Sequence, residues 1–445
     1  MVLLVMCVGY FLVLLDVTIV NIALPSISSG IGASISDLQW VLDGYALALA
    51  CLMLTGGSIG DLRGHKRVVL SGLSLFGAAS LGCGLSGTIG VLVAFRVLQG
   101  VGAALMLPGT LAVISHAYPG RREQAQAIGV WAGVGSSALV AGPLLGGLLV
   151  QTLGWRWVFL LNVPLVSLAT VGTALVVHES RSDHPQRLDW RGALLAAALL
   201  GGLTFAFIQG GRHGVDAWTL GAITIAVAAT VAFIAVERRA AAPMLPLELF
   251  RVRAFTTANT VAGAMNLATL GLLFVMTLYL QNVRHHSALS AGIALLPLFL
   301  PLSVIAPIGG RITARTGPKA PMLVGLIAAA AGVSLLVLAD GTSSYPTLMP
   351  ALLLWGMGLA VLTPAVVAAA IASVPAERAG LASAVNNTAR QAAGAIGIAA
   401  FGALVAHPGA TPFLSGMHTG AVVAATLFLI AAGATAILIR PPSGT

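Results

Sequence analysis

The sequence predicts an all-α membrane protein with fourteen transmembrane helices arranged as six, two and six. Three observations predict it. First, 58% of the 445 residues are apolar and only 8% are charged, against about a quarter charged in ordinary soluble domains. A fold in water has no way to hide that much apolar surface, and the mean hydropathy of +0.99 agrees, so the solvent is lipid. Second, the apolar residues fall in continuous runs of roughly 20, the length a helix needs to cross a bilayer, without the alternation of barrel strands. Third, two polar segments divide these runs into groups.

In chain order the runs fall at 2–24, 39–60, 67–87, 89–113, 125–152, 156–177, 191–210, 217–236, 256–281, 287–309, 320–339, 347–372, 380–406 and 416–439. The first, which contains "FLVLLDVTIVNIALP" (11–25), is interrupted by Asp16 and precedes no small-residue cleavage site. It therefore reads as a span and not as a cleavable leader. Its short, uncharged flank leaves a truncated or misassigned start open. The polar segments are "HESRSDHPQRLDW" (178–190) and "ERRAAAPMLPLELFRVRAF" (237–255). The expected organisation is a six-helix bundle at 1–177, linkers with a two-helix insert at 178–254, and a second six-helix bundle at 255–445. Two six-helix halves around a midplane site are common in secondary transporters. A weak internal repeat supports duplication: "GGSIGDLRGHKR" (56–67) and "GGRITARTGPK" (309–319) follow the second span of each half. The second copy lacks the acid Asp61 supplies in the first.

The basic residues orient the chain. With the N-terminus in the cytoplasm, seventeen of the 22 Lys and Arg lie inside, and only Arg156, Arg212 and Arg284 lie outside. Arg96 and Arg390 fall within spans. This asymmetry places both termini in the cytoplasm, and it explains the net charge of +9 by anionic lipid instead of nucleic acid. Cys7, Cys51 and Cys83 all sit in apolar runs and read as inert buried thiols. No Ser/His/Asp order, phosphate loop or metal-ligand spacing stands out, so neither an enzyme, nor a bound metal or cofactor, nor ATP as driver is expected.

Ionisable groups inside spans are costly, so each calls for a role. Counted from the outer ends of their runs, Asp16 lies ~12 Å deep and Arg96 ~10 Å at 1.5 Å per residue. The two can therefore pair, either as a static clamp between helices or as a proton-exchanging site. Asp43 in "QWVLDGYALALA" is nearer its outer end, where a solvated gate and a proton or cation site are equally open. In the second half Arg390 is the buried charge, with Asn386 at i−4 and Asn387 at i−3 on its side of the helix; packing and a substrate role both fit. Thr18, Asn21 and Gln99 are further polar candidates for a substrate cavity. In "GPLLGGLL" (142–149), Gly142 and Gly146 flank Pro143, a pattern that suits close helix approach and bending.

Five stretches together resemble the major facilitator superfamily, specifically its fourteen-span drug:proton antiporters. "LDVTIVNIALP" (15–25) is similar to that branch's first-span motif. "GSIGDLRGHKR" (57–67) matches the superfamily's loop motif through Gly57, Asp61, Arg63, Gly64 and Lys66, with His65 in place of the usual basic residue. "RVLQGVGAA" (96–104) matches the fourth-span motif through Arg96, Gln99, Gly100 and Gly102. Gly133, Gly142, Pro143, Gly146 and Gly147 match the fifth-span antiporter motif, and "NNTARQAAGAIG" (386–397) resembles the thirteenth-span pattern.

The resemblance implies a major facilitator fold in a bacterial inner membrane and a monomer. It further implies multidrug or antibiotic efflux driven by the proton gradient, with a small molecule and protons as partners. It implies a gating charge network at Asp61 and Arg63, proton coupling at Arg96, and a hinge at Gly142–Gly147. The second half lacks the extra acids of members that export polycations, which favours neutral or monocationic lipophiles. A proton-coupled importer on the same fold and a non-transporting receptor are the alternatives. The fifth-span motif argues against the first, and the lack of a large soluble domain against the second. Only two lysines among 22 basic residues, with many Ala and Gly, suggest a GC-rich bacterial genome.

Overall fold

In lipid no water satisfies backbone N–H and C=O groups, and a helix satisfies them within one segment. The apolar runs accordingly fold as helices. The structure, a computed structural model, describes residues 1–118, 120–181, 189–240, 243, 245–375, 378–406 and 409–439, and among these there is no strand. Most of the linker expected at 178–190 lies outside the described residues. So do residues 241, 242 and 244 of the second linker, Arg187, Arg440, and the side chains of Arg121 and Arg122.

The helices are α1 (Val2–Ile31), α2 (Ile35–Arg63), α3 (His65–Leu85), α4 (Ile89–Ala117), α5 (Arg121–Thr152), α6 (Trp157–Leu160), α7 (Asn162–Val176), α8 (Trp190–His213) and α9 (Ala217–Arg239). They continue as α10 (Arg253–Leu278), α11 (Ala288–Ala294), α12 (Leu296–Val304), α13 (Ala306–Thr316), α14 (Lys319–Ser334), α15 (Tyr345–Ala372), α16 (Ala379–Leu404) and α17 (Ala410–Leu438). Among the described residues twelve helical segments are long and apolar enough to cross a membrane. The pair α12–α13, bent by 49°, makes a thirteenth if counted as one span. Pro297, Pro301 and Pro307 surround that bend and remove backbone donors there. α16 has the length, but Asn386, Asn387, Arg390 and Gln391 make it less apolar than the others. The expected fourteen spans are thus met as twelve or thirteen on length and apolarity. The chain is a multi-pass membrane protein. Its outward-facing side chains agree, with Trp218, Ile225, Val227 and Val231 of α9 all exposed.

Helix ends follow local chemistry. α1 runs past Pro25 to Ile31, beyond the expected end near residue 24, and stops where Gly32 turns left-handed (φ 68°). α2 starts at Ile35, ahead of the expected 39, because Ser34 and Asp37 form a reciprocal capping box. Between α8 and α9, Asp216 accepts from the Thr219 backbone N–H at 2.7 Å and from Gln209 at 3.0 Å. Those hydrogen bonds, with the Thr219 hydroxyl, hold its carboxyl down to about 2.

The chain divides into two compact units. One comprises Met1–Leu203, Ala222–Met244 and Ser287–Leu289; the other comprises Thr204–Gly221, Leu245–His286 and Ser290–Thr445. The division runs through α8 and α9. In the first unit α1 packs on α5, and α2 and α3 pack on α4. In the second, α10 packs on α16, and α12, α13 and α14 pack on α15. The repeat read from the sequence is therefore a repeat of packing. A Cβ on Gly72 of α3 would stand 2.8 Å from the Gly102 carbonyl of α4, and one on Gly325 of α14 would stand 2.7 Å from the Gly358 carbonyl of α15. Backbones approach this closely only where side chains are absent. The two lysines share a job as well. Lys66 Nζ donates to the Ala174 carbonyl at 2.8 Å and Lys319 Nζ to the Ala436 carbonyl at 2.7 Å. Each neutralises the negative end of the last helix of its half.

Candidate functional site

The first unit carries a fully buried polar cluster. Asp16 of α1 and Arg96 of α4 are both inaccessible to solvent, and Arg96 Nη1 meets Asp16 Oδ2 at 2.5 Å. Gln99, one helical turn after Arg96, sits between the charges. Its Nε2 donates to Asp16 Oδ1 at 2.9 Å and to Ser80 Oγ of α3 at 2.9 Å, and its Oε1 accepts from Arg96 Nη1 at 2.7 Å. Asn162, at the start of α7, donates to Asp16 Oδ1 at 3.5 Å. Arg96 Nε donates to the Val41 carbonyl of α2 at 2.8 Å. The guanidinium also lies over the Tyr45 ring, 4.5 Å from its centroid, and faces Phe159 of α6 at 5.8 Å. One ion pair thus ties together α1, α2, α3, α4, α6 and α7. Neutral side chains satisfy its remaining donors and acceptors, as a buried pair requires.

The depth count from sequence brings Asp16 and Arg96 together, and the structure does so. Gln99, read as a cavity residue, is instead the bridge of this cluster. Ser80, Tyr45, Phe159 and Asn162 were not singled out. Their signal was present for Ser80 and Asn162, uncharged polar residues inside apolar runs.

Asp43 is also fully buried, and neither carboxylate oxygen has a hydrogen-bond partner. α2 begins eight residues before Asp43 (35 to 43), where the apolar run suggests four. A charge without a partner is costly in such a position. Thr18 is buried and turned onto its own helix and α5, donating to the Leu15 carbonyl at 3.2 Å and the Ala138 carbonyl at 3.5 Å. Asn21 is buried with its Oδ1 unpartnered.

α1 and α5 meet along the glycines of "GPLLGGLL". A Cβ on Gly142 would collide with Thr18 Oγ1, and one on Gly146 would lie 3.0 Å from the Ile19 carbonyl. Pro143 sits inside α5 beside these contacts. Gly147 faces away from α1, its absent Cβ 2.6 Å from Leu289 Cα. Tyr10 of α1 stacks on Trp131 of α5 at 3.8 Å, in the space Gly135 leaves open.

Where α2 turns into α3, Gly64 has φ +100°, a conformation L side chains rarely adopt, and a Cβ there would overlap the Glu179 carboxylate. Glu179 accepts from the Lys66 backbone N–H at 3.0 Å and lies 3.6 Å from Arg67. Asp61 pairs with His65 at 3.5 Å, while Arg63 is exposed and has no ion pair among the described residues. His65, one turn after Asp61, is the group that faces it. Gly57 has only Pro108 nearby, at 3.7 Å; the neighbouring Gly56 is the one pressed on α4, against the Ala104 carbonyl. Gly64→Ala is expected to lower stability by about 1–3 kcal/mol from backbone strain alone, measured as a fall in melting temperature in detergent; an unchanged melting temperature would contradict this hinge geometry.

In the second unit Asn386 of α16 donates to Asn259 Oδ1 of α10 at 3.3 Å, and Asn387 and Arg390 are half-buried on the same helix. A Cβ on Gly394 would stand 2.6 Å from Leu270, and one on Gly397 would meet the Leu267 carbonyl. This second glycine seam is the counterpart of α1–α5. Among the described residues no Asp–Arg pair like that of Asp16 and Arg96 is found there. Six residues before Gly102 stands Arg96 (102 − 6); six before Gly358 stands Leu352 (358 − 6). Three before each stand Gln99 and Trp355. Leu352 and Trp355 are fully buried, so the second half fills with apolar bulk what the first half gives to charge.

Comparison with known proteins agrees with this layout. The family model described as Major Facilitator Superfamily matches residues 6–398. The multidrug resistance protein Stp of Mycobacterium tuberculosis is 35% identical, over 89% of this chain and 74% of that protein. The tetracenomycin C resistance and export protein of Streptomyces glaucescens is 38% identical, over 91% of this chain and 75% of that protein. The puromycin resistance protein of Streptomyces alboniger is 36% identical, over 89% and 80%. Among solved structures, a POT family transporter bound to a thioalcohol-conjugated peptide superposes with a TM-score of 0.72 at 16% identity, over 96% of this chain and 95% of that one. The human organic anion transporter named TETRAN superposes with a TM-score of 0.67 at 17% identity, over 98% of each chain. These two share the fold alone. On the family match and the identity to its relatives, the chain belongs to the Major Facilitator Superfamily.

Proposed function

We propose that this protein is a proton-coupled secondary transporter that exports lipophilic neutral or monocationic drugs or metabolites across the bacterial plasma membrane by alternating access. The observation that carries it is the buried Asp16–Arg96–Gln99 cluster, in a chain whose relatives are named for resistance and export. Fourteen spans as six, two and six make up the chain, with bundles at 1–177 and 255–445 and the insert at 178–254. Both termini lie in the cytoplasm, on the basic asymmetry of the loops. The protein works as a monomer and carries out no covalent chemistry.

Protons arriving from outside protonate Asp16. The neutral acid holds Arg96 less tightly, and the helices gathered on that pair are released toward a second packing. Export follows if proton and substrate bind the two states with different affinity. Asp43 is a second proton site, since its buried carboxyl needs no counter-charge in the neutral form. Asn21, Asn386, Asn387 and Arg390 are the polar candidates for contacts to substrate. The absence of unpaired acids from that set suits neutral or singly charged cargo. Gly142, Pro143, Gly146 and Gly147 form the sliding seam of the cycle. Gly57, Asp61, Arg63, Gly64 and Lys66 form the cytoplasmic hinge.

The test is purified protein in liposomes with an imposed pH gradient and a pH dye inside. Addition of a lipophilic monocation such as ethidium is expected to elicit proton movement opposite to the drug. Drug flux that ignores the gradient, or proton flow in the same direction as the drug, overturns the proposal.

A further inference from the structure

Beside the hinge, and sharing Arg63 with it, the first unit has a cleft of about 420 Å³ between the ends of α2 and α3. Its floor is apolar, with Leu62 of α2, Val68 of α3 and Leu105 of α4. Its rim carries three guanidinium groups, Arg63 at the last turn of α2, Arg67 in the first turn of α3, and Arg181 just after α7. All three are exposed. The acids nearby do not neutralise them. Glu179 has one oxygen on the Lys66 N–H and the other 3.6 Å from Arg67, and Asp61 is turned to His65. Arg63 and Arg181 have no acidic partner among the described residues.

A chain with so few charges has placed three cations around one apolar cleft at a helix end. For a structural role this is wasteful, because three like charges repel, and among the described residues only Arg67 has an acid within 4 Å. Leu62 is 43% exposed at the same place, and an apolar floor does nothing for a free inorganic anion. One class of molecule offers both chemistries at this depth: a phosphate at the interface joined to an acyl chain that reaches into the bilayer. On the positive-inside orientation this end is cytoplasmic, where basic pockets between helices meet anionic headgroups.

We propose that the cleft between α2 and α3 is a binding site for an anionic phospholipid, with its phosphate held by Arg63, Arg67 and Arg181 and its acyl chain on Leu62, Val68 and Leu105. A lipid seated there braces the α2–α3 hairpin on either side of Gly64. The inference is independent of substrate and of transport direction.

Native mass spectrometry of the purified full chain in detergent tests it without any variant. Phosphatidylglycerol is expected to give a saturable single adduct that survives collisional activation better than phosphatidylcholine of the same acyl chains. Soluble glycerol 3-phosphate is expected to compete poorly. Arg63→Gln and Arg181→Gln are each expected to weaken phosphatidylglycerol about fivefold, whereas Arg63→Lys, which keeps the charge, retains most of the affinity. Equal binding of the two lipids by the unaltered protein overturns the proposal. So does displacement by glycerol 3-phosphate at the concentration of the lipid, which would mark a plain anion site. Affinity unchanged in an Arg63→Gln/Arg67→Gln/Arg181→Gln variant that elutes and melts like the parent overturns it too.

Discussion

Asp16→Asn is expected to abolish substrate-driven proton movement in liposomes and to cost about 3–5 kcal/mol of stability, because it strands the Arg96 charge in a site without solvent. Loss of function alone would not separate coupling from a static clamp. The second half of the molecule suggests the variant that does, since Leu352 occupies there the position of Arg96. Replacing both charges, as Asp16→Leu with Arg96→Leu, removes the stranded cation. Replacing a buried pair by packed apolar groups is often neutral or stabilising, so the double variant is expected to regain most of the lost melting temperature. If the pair only clamps helices, transport returns with stability. If Asp16 carries the proton, stability returns and coupled transport does not. Recovery of gradient-driven export in the double variant would sink the coupling role.

The second large effect is expected at the α1–α5 seam. A Cβ at Gly142 collides with Thr18 and lies 3.1 Å from the Ile19 backbone nitrogen, which cannot rotate away. Gly142→Val is therefore expected to cost about 1–3 kcal/mol through overpacking and to remove most export, since the two helices can no longer stay in register as they move. Gly133 belongs to the same motif and is the internal control. Nothing lies within 4 Å of the Cβ it lacks. Gly133→Ala should leave the melting temperature unchanged or raise it, by up to about 1 kcal/mol of helix propensity. Equal destabilisation of the two variants, read from thermal melts in the same detergent, would show that the motif acts through helix propensity and not through the seam.

The site was legible where charge and depth were enough. Asp16 and Arg96 could be matched because hydropathy sets the ends of a span and the helical rise converts residue number to depth. Asp43 shows the limit of that arithmetic. The capping box at Ser34 and Asp37 starts α2 earlier than the apolar run suggests, so a count from the end of that run places Asp43 a turn too near the start of its helix. Gln99 was assigned to a cavity, since its sequence neighbourhood cannot tell which way the side chain is turned. Gly56 and Gly57 show the same limit: adjacent residues on a helix differ by about 100° in direction, and only the packed partner, α4, distinguishes them. The Asp61–His65 pair was missed because motif matching assigns roles by position, whereas a salt bridge depends on which side chain lies one turn away.

The sequence by itself determined that lipid is the solvent, where most of the long helices lie, that two related stretches recur, and that basic residues gather between particular runs. These are local or additive properties: hydropathy, run length, and the count of basic residues between runs. Only the tertiary structure decided that Asp16, Arg96, Gln99, Ser80 and Asn162 form one cluster, that Asp43 has no partner, that the seam glycines face α1, and that three arginines surround one cleft. Each of these depends on the rotation of a helix about its own axis and on the neighbour it packs against. Side chains from six different helices meet in the cluster around Asp16, Arg96 and Gln99, and no single stretch of sequence contains that information.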